Sequence, residues 1–205
     1  MNTSPVRSVS LKHAVLALVW LLALGPVCLL GCATQSHTNP AEIRGPQAAA
    51  AYQRLKRLEG VWESKSTKGW GGRLRYQIIA GGTALVQFDD VAHPGEMMLT
   101  MIHPDNDRLL LTHFCVAGNQ PRLVLTRAST GLDAFTFEFL DATNLRSRDV
   151  GHMDQVILTF HGEGSFSEQW WWYQDGMLRP METVENRRVI PDASGSSASQ
   201  PAAAR

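Results

Sequence analysis

The chain has 205 residues, of which 44% are hydrophobic, and its 19 basic side chains balance 19 acidic ones. This length and apolar content suffice for one domain with its own core and argue against intrinsic disorder. The neutral balance gives no support to nucleic-acid binding, which normally shows a basic footprint, so we expect no nucleic-acid partner. Three cysteines with no Cys-x-x-Cys pair indicate neither a disulfide framework nor a structural zinc site.

The first 31 residues have the features of an export signal. Arg7 and Lys12 stand in a start that lacks acids, and an apolar stretch follows from Ala14 to Leu24. A basic start, an apolar stretch and small residues at a cut site are typical of secretory signals.

The end of this segment, Leu29-Leu30-Gly31-Cys32, resembles a bacterial lipobox. Leu29, Gly31 and Cys32 match the pattern, and Leu30 is larger than the residue usually found there. The resemblance implies cleavage before Cys32, lipidation of its thiol and acylation of the new amine. The protein would then be a lipoprotein of the cell envelope, held on a membrane by its anchor, with its domain facing the periplasm or the cell exterior. The alternatives are ordinary cleaved secretion and an uncleaved membrane helix, against which Gly25-Pro26 argues.

Composition divides the remainder into three parts. Residues 32–47 are rich in Ala, Thr, Ser, Pro and Gln and predict a flexible tether. Residues 48–190 carry the apolar periodicity of a folded domain, and residues 191–205 predict a disordered tail.

Within the domain, the pattern predicts one helix, Ala48 to Leu58, followed by strands. Phe135, Phe137 and Phe139 alternate with polar residues, which is the period of a half-buried strand. Gly81-Gly82 and Asp175-Gly176 are hairpin signals. The predicted strands are 61–67, 73–80, 83–90, 97–103, 108–116, 122–128, 134–141, 153–161, 166–174 and 177–187.

About ten short strands with short links and no long helix between them exclude a parallel sheet. Closure into an antiparallel up-and-down barrel removes the exposed edges of such a meander. A barrel of this size can leave room for a small ligand. The alternative is a sandwich, whose Greek-key links need longer connections.

Two segments carry a family resemblance over about residues 52–188. Leu58-Glu59-Gly60-Val61-Trp62 looks like the opening of the calycin-type barrels, namely the lipocalins, fatty-acid-binding proteins and nitrobindins. The segment from Met98 through His113-Phe114-Cys115 to Gly118-Asn119-Gln120-Pro121-Arg122 resembles uncharacterised bacterial secreted proteins with a lipocalin-like domain. The resemblance implies a fold and no activity or cofactor. Nitrobindins place a haem-ligating His near the C-terminus, whereas this chain has no His after His161.

The candidate ligand-binding residues come from the middle of the domain. His113 and Cys115 share one face of a strand, which we predict to be the barrel interior. They could form an activated thiolate or a soft metal site, or be ordinary buried residues. His103 is one of four histidines on or beside strands, and no pair has local metal-ligand spacing. No metal ligands are therefore assigned.

Three polar residues and one aromatic residue complete the candidate site. Asn119, Gln120 and Arg122 follow Gly118 and could orient a carboxylate or carbonyl, or be turn residues. Trp171 faces away from Trp170 and Trp172 and could stack on a ligand, or cover the barrel rim.

We therefore expect a lipid-anchored barrel that binds a small apolar or amphipathic ligand, with no cofactor. No catalytic motif is present, and an enzyme is not indicated. The alternatives are a scaffold lipoprotein with a side-chain-filled barrel and a metal, haem or redox protein using His113 and Cys115.

Overall fold

The computed structural model describes residues 41–89 and 96–190. The predicted signal, the predicted anchor residue Cys32, most of the predicted tether and the predicted tail lie outside these residues. Among the described residues, no helix is long and apolar enough to cross a lipid bilayer.

The described residues form one helix and ten strands, as the periodicity predicts. Helix α1 begins at Pro46, which suits the first helical position, and continues after Leu55 as a 3-10 turn to Leu58. The strands are β1 Gly60–Ser66, β2 Gly71–Ile79, β3 Ala84–Asp89, β4 Met98–Asp105, β5 Arg108–Phe114, β6 Gln120–Ala128, β7 Ala134–Thr143, β8 His152–Phe160, β9 Ser165–Gln174 and β10 Met177–Arg188.

The sheet is a closed antiparallel up-and-down barrel, and the sandwich alternative is wrong. Each strand pairs with its neighbours in sequence, and β1 pairs with β10 to close the sheet, with Trp62 opposite Arg188 and Ser66 opposite Val184. Because every strand has a partner on both sides, no long strand edge is left open to pair with another chain.

Helix α1 covers the end of the barrel that we call the lower end. Ala51, Tyr52 and Leu55 are buried and belong to the same apolar core as Trp62 and Phe166. The Tyr52 hydroxyl donates to the Gly82 carbonyl oxygen at 3.1 Å, and Trp62 Nε1 donates to the Leu58 carbonyl oxygen at 2.7 Å. The lower half of the barrel is therefore filled by side chains.

Residues just before α1 complete the lower end of the sheet. The Ile43 amide donates to the Leu125 carbonyl oxygen at 2.9 Å, and Arg44 forms an antiparallel bridge with Arg108. The part of the predicted tether that the structure describes thus includes residues that pair with β5 and β6.

The other end, which we call the upper end, contains residues 96–97 before β4 and the connections 67–70, 115–119, 144–151 and 175–176. In the last of these, Asp175 and Gly176 both have positive φ, at 50° and 76°. These angles fit the tight hairpin turn that Asp-Gly predicts.

Candidate functional site

A buried carboxyl group lies in the barrel interior. Glu168 on β9 is buried between Phe166 and Trp170, which share its face of the strand. Its Oε1 accepts a hydrogen bond from the Tyr76 hydroxyl of β2, and Gln87 Nε2 of β3 donates to Oε1 and Oε2 at 3.0 and 3.2 Å. Three strands therefore contribute to one interior hydrogen-bond network.

Burial in the interior raises the pKa of two members of this network, Glu168 and Tyr76. Burial, the largest cause, raises the pKa of Glu168 to about 7, because a charged carboxylate is poorly solvated there. Burial and then the negative charge of Glu168 raise the pKa of Tyr76 well above its usual value. Near neutral pH, Glu168 is therefore divided between its charged and uncharged forms.

His113 lies near this network with one ring nitrogen unpaired. Its Nδ1 is 2.9 Å from Thr100 Oγ1, while Nε2 is buried and has no hydrogen-bond partner. Burial lowers the pKa of His113 to about 4, so the imidazole is neutral at pH 7. Its ring packs beside Trp170, with the two centroids 5.0 Å apart. A neutral imidazole with a free nitrogen can give or accept one further hydrogen bond.

A second interior carboxylate lies on β10. Glu182 Oε2 accepts hydrogen bonds from Ser66 Oγ at 2.6 Å and from Trp70 Nε1 at 3.0 Å. Below it, Ser64 Oγ donates to Asn186 Oδ1 at 2.6 Å. The polar face of β1 is thus paired with the polar face of β10.

These groups surround a small central cavity of about 20 Å³. Its lining comes from most of the barrel: Trp70, Gln87, Asp89, Met98, His113, Met153, Glu168, Trp170, Glu182 and Val184. A space of this size holds about one water molecule, whereas ligand pockets usually exceed about 300 Å³. The central cavity therefore suits one water or one polar atom of a ligand.

A larger groove of about 340 Å³ lies at the upper end, between the upper parts of β9 and β10 and the 67–70 connection. Its apolar lining is Trp172, Pro180 and Met181, and its basic lining is Lys68 and Arg179. The register of β9 and β10 shifts between Pro180 and Glu182. Since proline has no amide hydrogen to donate, it favours such an irregularity in a sheet. The groove combines an apolar floor with two exposed cations.

The connection between β7 and β8 is held to the barrel by Arg148. Its guanidinium lies over the rings of Phe139 and Tyr173, 4.1 and 3.8 Å from their centroids. The same guanidinium bonds to Asp154 and to Nε2 of the fully buried His152. His152 Nδ1 contacts the Val150 carbonyl oxygen at 2.5 Å. These contacts fix one wall of the upper end.

Of the two residues predicted to share a strand face, the structure places only His113 on a strand. His113 lies inside the barrel, as its burial shows, whereas β5 ends at Phe114. Cys115 is half-buried in a turn in which its amide donates to the Asn119 carbonyl oxygen at 3.2 Å. The predicted strand to residue 116 is two residues too long, because Gly118 adopts a positive φ of 80° and the chain turns there.

The polar residues after Gly118 have partners within the protein. Asn119 Nδ2 donates to the Gly151 carbonyl oxygen at 2.9 Å, and Gln120 Oε1 accepts from Thr143 at 2.7 Å. Arg122 makes two hydrogen bonds with the Asp141 carboxylate, one of them from Nε at 2.5 Å. These contacts fasten the 115–119 turn to β7 and to the start of β8.

His103 and Trp171 lie apart from His113. His103 is near the lower end of β4, where its Nδ1 is 3.0 Å from the Pro104 carbonyl oxygen. Trp171 faces away from the interior-facing Trp170, and its Nε1 is buried without a partner. Within residues 41–89 and 96–190, no three His, Cys, Asp or Glu side chains are placed to hold a metal ion.

Sequence reasoning missed Glu168, Tyr76 and Gln87 as members of one site. A signal existed for Glu168, because it alternates with Phe166 and Trp170 and so belongs on their face. The cross-barrel partners have no such signal, because Tyr76 is 92 residues away in sequence.

No family model matches the chain. No curated protein is significantly similar to it.

Proposed function

We propose that this protein is a lipid-anchored component of the cell envelope whose barrel binds a small amphipathic ligand at its upper end. The observation that carries the proposal is the groove of about 340 Å³ formed by Lys68, Trp172, Arg179, Pro180 and Met181. Its volume falls in the range of small-molecule sites, and its lining is mainly apolar with a few charged groups, as in such sites.

The lining favours a ligand with an apolar body and an anionic head. Trp172, Pro180 and Met181 can cover an acyl chain or a ring. Burial of this apolar surface would contribute favourably to the free energy of binding. Lys68 and Arg179 supply two cations at the edge, and a guanidinium can pair with a carboxylate or phosphate through two hydrogen bonds. The ligand class is therefore an amphipathic anion.

Ligand binding can be tested with a fluorescent long-chain fatty acid, using the matching fatty alcohol as a neutral probe. Arg179→Glu should weaken the acid about tenfold or more, because one favourable charge pair becomes repulsive. It should change binding of the alcohol much less. Arg187→Glu is the matched control, since Arg187 is exposed on the same strand at the lower end. Equal binding of the acid by wild type and both variants would contradict the proposed groove.

The anchor is tested separately in cells. A palmitate analogue should label wild type and miss Cys32→Ser, because a serine hydroxyl cannot form the thioether. Cys115→Ser is the control and should be labelled like wild type. Equal labelling of Cys32→Ser and wild type would overturn the lipoprotein proposal.

A non-enzymatic scaffold is the second candidate, and the central cavity of about 20 Å³ favours it. A barrel interior filled by side chains presents a rigid outer surface without holding a ligand. The two candidates differ in the fatty-acid experiment. Absence of saturable binding by wild type would leave the scaffold as the better proposal.

A further inference from the structure

Large exposed apolar side chains are concentrated at the upper end of the barrel. Among the described residues seven such side chains occur, and six of them are in or beside the upper connections, with exposures between 42% and 62%. These six are Met97, Phe114, Val116, Val150, Met177 and Leu178, and we call them the upper rim. The seventh, Ile190, follows the end of β10 at the lower end.

Four different connections contribute to the upper rim. Met97 precedes β4, Phe114 and Val116 flank the end of β5, Val150 precedes β8, and Met177 and Leu178 begin β10. The up-and-down topology brings these connections to one end of the barrel although they are far apart in sequence. Clustered apolar exposure usually marks an interaction surface, whereas single exposed apolar residues need no explanation.

The charges at this end are mixed. Lys68, Arg146 and Arg179 are accompanied by Glu96, Asp149 and Asp175. Since the two signs roughly balance, apolar insertion rather than net charge would provide attraction to a surface. The Trp172 ring, in the groove beside the rim, has the amphipathic character favoured at a membrane–water interface.

The direction of the chain before α1 is compatible with a membrane at the upper end. The bridge between Arg44 and Arg108 is antiparallel, and β5 runs from the lower end to the upper end. Followed toward the N-terminus from Arg44, the chain therefore heads upward. Nine residue steps separate Ala41 from Cys32, and they can span at most about 30 Å. The seven residues of β5 extend over about 24 Å, so nine residue steps are long enough to run the length of that strand.

We infer that the upper rim docks on the surface of a lipid bilayer, with the ligand groove facing the lipid. The inference rests on the proposed function for the position of the anchor, but the affinity of the rim for lipid does not depend on the anchor. An amphipathic ligand would then pass between bilayer and groove with little exposure to water.

The test uses the chain from residue 41 onward, which lacks Cys32 and the apolar N-terminal stretch. This part contains α1, all ten strands and the whole buried core, so it has what it needs to fold alone. This chain without substitutions should co-sediment with vesicles of phosphatidylethanolamine and phosphatidylglycerol. Met177→Asp combined with Leu178→Asp should lower the partition coefficient about tenfold or more, because charged side chains resist insertion. Val150→Asp, in a different connection, should also lower it, and Ile190→Asp should not.

Orientation is measured with a fluorophore on a single cysteine in a Cys115→Ala background. Spin-labelled lipids should quench the fluorophore at Asp175→Cys, in the upper 175–176 turn, and not at Glu163→Cys, in the lower 161–164 turn. Failure of wild type to co-sediment, equal partitioning of all folded variants, or equal quenching at both sites would overturn the inference. So would self-association without lipid that the rim variants abolish, since the rim would then bind a second copy.

The outcomes separate this inference from the proposed function. Loss of palmitate labelling or of fatty-acid binding concerns the anchor or the groove and leaves vesicle binding unaffected. Failure of vesicle binding leaves the anchor and the groove in place.

Discussion

The Tyr76 hydroxyl of β2 donates a hydrogen bond to the Glu168 carboxyl of β9 across the interior of the barrel. Two other strands, β1 and β10, lie between them around the wall. The bond therefore connects two strands that are not neighbours in the sheet. It also places a titratable carboxyl in the same interior as the neutral His113.

Glu168 and His113 should give the folding stability opposite dependences on pH. Glu168 has a raised folded pKa, so its contribution is full below about pH 4.5 and is lost as the pH rises toward 7. His113 has a lowered folded pKa, so its contribution is full above about pH 6.5 and is lost as the pH falls toward 4. Each change amounts to about 3 kcal/mol. In wild type the two largely cancel between pH 4.5 and 6.5.

Single substitutions should expose each dependence. Glu168→Gln leaves the histidine, so the free energy of unfolding should fall on acidification from pH 6.5 to 4. His113→Asn leaves the carboxyl, so the same quantity should rise on acidification from pH 7 to 4.5. Urea titrations over this pH range compare the variants. Parallel pH profiles for the two variants would refute the opposed titrations.

Arg148→Ala should destabilise the protein by about 2 kcal/mol. The substitution removes two cation–π contacts and leaves Asp154 and His152 without their guanidinium partner. Arg146→Ala is the matched control, because Arg146 is exposed in the same connection. Chemical denaturation measures both, and equal effects would mean that the contacts of Arg148 contribute no stability.

Gly60→Ala should cost about 1–3 kcal/mol. Gly60 has a φ of 130°, which non-glycine residues rarely adopt, and an added Cβ would lie 2.9 Å from Nη1 of Arg188. Gly164→Ala should change stability by less than about 0.5 kcal/mol, since its φ is not positive and a Cβ there meets open space. Thermal or urea unfolding of both variants tests the difference.

Cys115 should react slowly with iodoacetamide in the native protein and faster once the chain is unfolded. The residue is half-buried, and burial raises the pKa of its thiol, which lowers the thiolate fraction. Val116→Cys in a Cys115→Ala background places a thiol at the exposed neighbouring position and should react faster in the native state. Equal native rates at the two positions would show that Cys115 is accessible.

The barrel was predictable because its signals are local. Phe135 and Phe137 alternate with polar residues, and both are fully buried in the structure. Asp175-Gly176 predicts its hairpin from two residues. Closure also followed from the number of strands and the short connections between them.

The site was less predictable because its members meet through the register of distant strands. Arg122 was a candidate to bind a ligand carboxylate, and the structure pairs it with the Asp141 carboxylate of the neighbouring strand. Glu168 looked isolated in sequence, yet it lies within hydrogen-bond distance of Tyr76 and Gln87. The pattern identifies which face a residue occupies but not what lies opposite across the interior.

The pairing of β1 with β10 has a consequence for how the chain can be rearranged. Both α1 and the end of β10 lie at the lower end, so a linker that crosses this end can join residue 190 to residue 41. New termini can then be opened at an exposed turn, such as the one between Asp175 and Gly176. The resulting circular permutant would keep every strand pairing, although β10 would precede β1 in its sequence. The barrel depends on the cyclic order of its strands. The termini can therefore be placed between other neighbouring strands without changing that order.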